Sequence, residues 1–270
     1  MEDIIIKKGK QAGGISVVLA GVHGNEKCGV DAFNNILPTL EIEKGVVYFI
    51  VGSPKALEDN IRFVDVNLNR IFKNDSDLTT EEKESYEYTR MVRIRTYLDQ
   101  ADALLDIHAS NVAGSPPFVI CEDQARDIAD VLSIKKLTTG FDALEPGGTD
   151  GYMNTLGKTG ICIECGYAQD SDISEIAQQC IFDFLAARGH INLLVEKKEK
   201  DAFEMNFIYH TKTNNFRLIK KFDNFEEIQK GQTIGFDGDE EIKAQQDGII
   251  IFAHHRNYIG AEAFLCGVKK

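Results

Sequence analysis

Ile15-Ser16-Val17-Val18-Leu19-Ala20-Gly21-Val22-His23-Gly24-Asn25-Glu26 joins an apolar run directly to a glycine-rich turn. The run reads as a buried strand, and the turn leads into a helix expected over about residues 26–37. That helix carries Val30, Phe33, Ile36 and Leu37 on one face and meets its stop at Pro38. The same alternation extends outward. Residues 45–51 (GVVYFIV), 102–107 (DALLDI), 117–121 (PFVIC) and 161–165 (ICIEC) read as further strands. A helix is expected over about 81–98, entered through the capping-box spacing Thr79-x-x-Glu82, with Glu81, Glu82, Glu84 and Glu87 complementing the helix dipole. Another is expected over 172–188, where Ile173, Ile176, Ala177, Cys180, Ile181, Phe184 and Leu185 form one stripe and Gly189 ends it. Strands alternating with helices indicate an α/β layered domain built on a mostly parallel sheet.

The texture changes near Val195. A charged stretch, 196–201 (EKKEKD), precedes short alternating runs broken by Gly231-Gln232, Gly235, Asp237-Gly238 and Asp247-Gly248. The expected organisation is therefore an α/β domain over 1–195 and a small β-rich domain over 196–270 that flanks the cleft as a lid. At 270 residues the chain has room for both, and needs neither disulfides nor a metal merely to stay folded.

Charge excludes several functions. With 30 Lys+Arg against 43 Asp+Glu, the net charge of −13 argues against nucleic acid or anionic membrane as the main partner. Residues 196–270 carry 12 basic and 13 acidic side chains, so nearly all of the excess lies in the α/β part. No secretory leader and no apolar run of about 18 residues is visible, and the six cysteines are sparse and mostly set in apolar runs. The expectation is a cytoplasmic protein with reduced thiols.

Polar residues at the C-terminal ends of these strands are where open α/β sheets place their chemistry. His23 and Glu26, three apart in the turn after the first core strand, can aim an imidazole and a carboxylate at one point. His108 closes the strand 102–107 and would emerge at the same edge, completing a His₂Glu set of the kind that holds a catalytic Zn²⁺ with one position open. Asp106, on the same strand face, is placed to orient a ligand histidine. Glu164 lies inside an apolar strand, which is costly unless it is paired or used, and it suits a general base. Cys162 and Cys165 sit three apart on a strand, so their thiols should diverge. The adjacent His254-His255 should likewise point to opposite faces. Arg62 and Arg70 are residues suited to binding carboxylates or a developing oxyanion.

In order and spacing, His23-x-x-Glu26, Asn67-Leu68-Asn69-Arg70, Asp106-Ile107-His108 and Glu164-Cys165-Gly166 resemble the aspartoacylase/succinylglutamate desuccinylase family, a branch of the zinc carboxypeptidase-like hydrolases. The resemblance implies a zinc carboxypeptidase-like fold with one Zn²⁺ held by His23, Glu26 and His108. It implies Glu164 as activator of water and Arg62 as partner of the oxyanion. Asn69 and Arg70 would hold the α-carboxylate of a small anionic N-acyl amino acid. Tyr258-x-x-x-Glu262-Ala263-Phe264 resembles the segment that brings a Tyr to the substrate, though Tyr258 also fits a β-core position. Two departures stand out. Asn67 replaces the family's usual Asp, and Asn154 stands ten residues before Glu164, where aspartoacylases that take an acidic side chain resemble one another in carrying Arg. Lys158 could supply a point charge instead. The expected reaction is hydrolysis of the amide of an N-acetylaspartate- or N-succinylglutamate-like substrate. A carboxypeptidase acting on short peptides and a non-catalytic metal- or ligand-binding regulator are the alternatives, and an oligomer is compatible with any of them.

Overall fold

The computed structural model describes residues 2–270. Its centre is an eleven-stranded mixed sheet. The core strands are β2 (Gln11–Ala20), β3 (Lys44–Val51), β4 (Ala103–Ser110) and β7 (Thr159–Tyr167), in the order β3-β2-β4-β7 and all parallel. Chain order runs outward from β2 to β3 and then returns to β4 on its other side, so the strand order reverses between β2 and β4. Such a switch point opens a crevice at the strand C-termini, the place where ligands bind in open α/β sheets.

Helices cover both faces, which is why these strands are continuously apolar. α1 (Cys28–Ile36) and, near the end of the α/β part, the longer helix Ile173–Ala187 pack on one face with Val18, Leu105, Ile107 and Ile163. The other face carries Val17, Leu19 and Leu104 against Met91, Ile94 and Leu98 of the helix Tyr86–Leu98. All eight residues of β4 are buried.

The single helix expected over 81–98 is two. α2 (Pro54–Asp59) precedes them, α3 (Thr80–Glu84) carries the capping box at Thr79 and Glu82, and α4 (Tyr86–Leu98) starts afresh after Ser85. Ser85 is extended (ψ 158°), and its side chain accepts the N–H of Tyr88 as a new N-cap. The break aims the start of α4 at the loop that follows α2. Fully buried Glu87, expected to complement the helix dipole, accepts the N–H groups of Val64, Asp65 and Val66 at 2.7, 3.1 and 3.2 Å. One carboxylate thereby fixes the backbone between Arg62 and Asn67.

The texture change near Val195 marks a change of hydrogen-bonding pattern while the sheet continues. β5 (Phe118–Cys121) runs antiparallel to β7, β6 (Lys136–Thr139) follows it in parallel, and β8 (Asp201–His210) pairs in parallel with β6. Three antiparallel strands, β14 (Glu262–Lys269), β13 (Gly248–Ile251) and β10 (Glu226–Ile228), complete that edge, and β1 (Ile4–Lys8) closes the other. β9 (Phe216–Leu218), β11 (Thr233–Asp237) and β12 (Glu240–Lys243) form a separate three-stranded antiparallel sheet over a core of Phe216, Phe222, Ile234 and Phe264. Cys162 and Cys165 face different cores, and all six cysteines are free and buried. No helix of the described residues is long and apolar enough to cross a membrane.

Glu87→Gln replaces an acceptor-only group by one that presents N–H donors to backbone N–H groups. It should lower stability by about 2–3 kcal/mol, the scale of lost hydrogen bonds to a buried charge, read as a fall in the urea midpoint at unchanged slope.

Candidate active site

His23 and Glu26 sit in the turn between β2 and α1, at the mouth of the crevice. The turn is tight: Gly24 packs so closely on Ala56 that a Cβ would lie 2.0 Å from its carbonyl carbon. His108 lies near the end of β4 and pairs in register with Glu164 of β7, so the two side chains leave the sheet side by side. His23, Glu26 and His108 are each at most 3% exposed, and their donor atoms all lie within 4.8 Å of one another. Among the described residues this is the group of His, Cys, Asp and Glu that could hold a metal ion.

The surrounding contacts decide which nitrogens point inward. His23 Nε2 lies 2.9 Å from Asn67 Oδ1, which also accepts the N–H of Asn69. An acceptor there fixes the proton on Nε2 and leaves the Nδ1 lone pair facing the cluster. His108 Nε2 lies 3.0 Å from Asp106 Oδ2, an ion-pair contact rather than an aligned hydrogen bond, and Thr149 Oγ1 donates to the same oxygen. The two Nδ1 atoms approach to 3.2 Å, and Glu26 meets each at 2.9 Å. Two imidazole nitrogens facing one carboxylate are a donor set that a divalent cation can take once both rings are neutral.

Titration follows the same geometry. Burial lowers His23 to about 4, whereas His108, equally buried, is held well above its ordinary value by Asp106 and Glu26. Burial disfavours ionised Glu26, but both histidines hold it well below the carboxylate range. Glu164 is pushed up to about 8 by burial and then by the charge of Glu26, and its Oε2 is buried without a hydrogen-bond partner. A cation in the neighbouring cluster would favour its ionised form.

These residues line a cleft of about 520 Å³. Arg62 reaches in from the loop held by Glu87 and donates from NH1 to Glu26 Oε1 at 2.8 Å. Asn69 and Arg70 also line the cleft, but Arg70 is engaged. Its Nε and NH2 each donate to a Glu262 oxygen at 2.9 Å, NH2 also meets Glu145 at 2.8 Å, and NH1 donates to the Asn69 carbonyl. Tyr258 stands at the cleft mouth, 59% exposed, rather than in a β core.

Lys158 is a correction. Its Nζ donates to the carbonyls of Leu98 and Asp99 at 3.2 and 2.7 Å, capping the C-terminal end of α4. It precedes the first residue of β7, whereas Glu164 lies near that strand's far end, roughly 20 Å along an extended chain. It therefore brings no charge to the cleft. Asn154 holds Asp142 at 2.9 Å and accepts the N–H of Gly160, so no cation stands there either.

The sequence reading did not single out Glu145, Asp150, His254, Arg256 or Glu262 as parts of this site. Glu145 and Asp150 border a smaller cavity of about 130 Å³ that shares Asn69, Arg70 and Glu145 with the cleft. Burial pushes Glu145 up to about 7, and burial with the charges of Asp142 and Asp106 does the same to Asp150. His254 lines the cleft while exposed His255 accepts the Leu218 N–H, so the two adjacent histidines do diverge.

A mixed α/β sheet with imidazoles and carboxylates converging at its switch point defines a hydrolase with a site able to hold a metal ion. A model of the succinylglutamate desuccinylase/aspartoacylase catalytic domain matches residues 13–188, and the chain belongs to that family of hydrolases, which deacylate acyl amino acids. The chain is 24% identical over 302 aligned positions to succinylglutamate desuccinylase of Shewanella baltica (strain OS185), covering 97% of this chain and 85% of that protein. Its fold is similar to that of the succinylglutamate desuccinylase/aspartoacylase from Rhodobacter sphaeroides, with a TM-score of 0.76 at 17% identity, covering 99% of this chain and 88% of that one. It is similar as well to succinylglutamate desuccinylase from Vibrio parahaemolyticus, with a TM-score of 0.77 at 17% identity over 99% and 86% of the two chains.

Two outcomes follow from the geometry. Asn67→Asp places a full negative charge on His23 Nε2 and should tighten divalent transition-metal binding by about tenfold or more, measured by chelator competition. Asp150, raised to about 7, stays protonated in the folded chain where the unfolded chain, near 3.8, has already ionised. Stability should therefore fall as pH rises from about 4 to about 7, by up to about 1.4 kcal/mol per pH unit, and then level off. Asp150→Asn should raise the melting temperature at pH 8 and leave it nearly unchanged at pH 4.

Proposed function

We propose that this protein is a zinc-dependent hydrolase of the amide bond of small N-acyl amino acids, of the N-acetylaspartate or N-succinylglutamate kind. The observation that carries the reading is the convergence of His23 Nδ1, His108 Nδ1 and the Glu26 carboxylate beside a buried Glu164 oxygen without a partner. Two imidazoles and one carboxylate are a donor set typical of catalytic zinc. When bound there, zinc would supply Lewis acidity to polarise the scissile carbonyl and acidify water.

This chain's own residues do the rest. Glu164 Oε2 takes a proton from the attacking water and returns it to the departing amine, so the free amino acid leaves with its amino group restored. Arg62 places a guanidinium against the same cluster, where it meets charge developing on the carbonyl oxygen. Asn67 and Asp106 hold the two imidazoles in orientation. Tyr258 and Asn69 border the cleft, with the Asn69 side-chain oxygen already accepting the Thr149 N–H. Residues 252–265, from the C-terminal part, form one wall of a cavity whose volume suits a small molecule better than an extended peptide.

Assays of the zinc-loaded protein on N-acetylaspartate, N-succinylglutamate and short peptides test the reading. Release of free amino acid from an N-acyl amino acid is expected, with little cleavage of peptides. Glu164→Gln should keep stoichiometric zinc while lowering kcat by at least about 100-fold. Wild-type rates in that variant, or no stoichiometric zinc in the active protein, would overturn it.

A further inference from the structure

The cleft has a side branch. The smaller cavity of about 130 Å³ adjoins it at Asn69 and Arg70 and shares Glu145 and Cys162 with it. His23, Glu26, His108 and Glu164 line the cleft and not the branch, so the branch lies beside the reacting centre. Phe72 and Phe141 give it apolar walls, and the carboxylates of Asp142 and Asp150 border it.

No cation of the chain answers these two carboxylates. Asp142 accepts one hydrogen bond, from Asn154 Nδ2 at 2.9 Å. Asp150 is 9% exposed and has neither an ion pair nor a side-chain donor among the described residues, only the N–H of Gly151 beside it. The charges that act on it most strongly are Asp142 and Asp106, both of its own sign. The nearby cations are committed elsewhere. Arg70 meets Glu145 and Glu262, Lys73 passes the Gly147 edge of the cavity and turns to Glu82, and Lys158 caps α4. Carboxylates buried without a cation are costly, and a bound cation offsets that cost.

The position of the branch decides what kind of cation can enter. Asn69 and Arg70, an amide and a guanidinium suited to a substrate's α-carboxylate, stand where branch and cleft join. A carboxylate held there puts the α-carbon at the mouth of the branch, and the side chain leaves from that same carbon. An acidic side chain would meet Asp142 and Asp150 at close range. One ending in an ammonium group would meet two acceptors and lay its methylenes along Phe72 and Phe141.

We propose that this branch is the side-chain pocket of the hydrolase and selects N-acyl amino acids whose side chain ends in an ammonium group, with Asp150 and Asp142 as its acceptors. The proposal rests on the reading of the chain as an N-acyl amino acid hydrolase and changes only which amino acid the substrate carries.

The test measures kcat/KM of the zinc-loaded protein at pH 8 on Nα-acetylornithine and Nα-acetyl-lysine, beside the neutral N-acetylnorvaline and N-acetylnorleucine and the acidic N-acetylaspartate and N-acetylglutamate. The wild type should prefer each ammonium substrate to its neutral counterpart and to the acids by at least about tenfold. Asp150→Asn should lower the ratio of ammonium to neutral substrate by about 30-fold, the scale of a lost hydrogen bond to a buried charge, and Asp150→Glu should keep part of it. The Asn variant is expected to be the more stable protein at pH 8, so unfolding does not mimic this result. A merely structural effect would depress both members of a pair and leave their ratio at the wild-type value. That outcome, or a wild type that prefers the acidic or neutral substrates, overturns the proposal. Should the wild type hydrolyse none of the six, the reading of the function fails, and calorimetric binding of Nα-acetylornithine judges the pocket separately. Affinity at least about tenfold weaker in Asp150→Asn supports it, and equal affinity overturns it.

Discussion

Two imidazoles and a carboxylate buried with their donor atoms inside one 4.8 Å cluster impose the constraint around which this structure is organised. Such groups are unfavourable away from water unless something fixes and satisfies them. The sheet supplies the fixing: β2 delivers His23 and Glu26 through its glycine turn, and β4 and β7 deliver His108 and Glu164 in register. Partners stand at the opposite ends of the same side chains, Asn67 in hydrogen-bond contact with His23 and Asp106 in charge contact with His108, and the Ala109 N–H donates to Glu26.

That arrangement carries outward through two buried charge contacts. Glu87 gathers three N–H groups of the loop after Asn60, so the start of α4 decides where Arg62 and Asn67 stand. Arg70 extends the chain of dependence to the C-terminal strands, because Glu262 begins β14 and lies 192 residues away in sequence. Burial alone would lower Arg70, yet Glu145 and Glu262 raise it above its ordinary value, which marks a close ionic contact. The wall that it anchors supplies His254, Arg256 and Tyr258 to the cleft.

How far this was legible in the sequence depends on how each residue is placed. His23, Glu26, His108 and Glu164 are fixed by strand ends and one glycine turn, and both features show in local pattern. The parallel core strands show as well, because burial on two faces leaves unbroken apolar runs. Lys158 misleads because six residues look close in sequence, whereas in an extended strand they run from one edge of the sheet towards the other. The break at Ser85 is hidden because a serine inside a helical pattern does not reveal whether its hydroxyl caps a new helix. Glu145, Arg256 and Glu262 were missed as site residues for a different reason. They come from loops and a strand start, where no period constrains which way a side chain faces, and only the C-terminal strands' return to the sheet brings them to the cleft.

The overall charge of −13 acquires a direction once the cleft is built. Its inner end, towards the smaller cavity, gathers Asp142, Glu145 and Asp150, all held above their ordinary values, first by burial. Its outer wall gathers Arg62 and Arg256 with Glu262 and with His254, which burial lowers to about 4. Long-range steering by an acidic surface works against an anionic substrate, so capture must act at short range, where the local arrangement of charge outweighs the net value. Because burial raises Glu145 and Asp150 to about 7, the inner end carries less than its full complement of negative charge near neutral pH, and Arg70 stands among these groups. The difference between the two ends of the cleft is therefore set by how burial suppresses ionisation at the inner end and leaves guanidinium groups at the outer wall, a contrast that the net charge conceals.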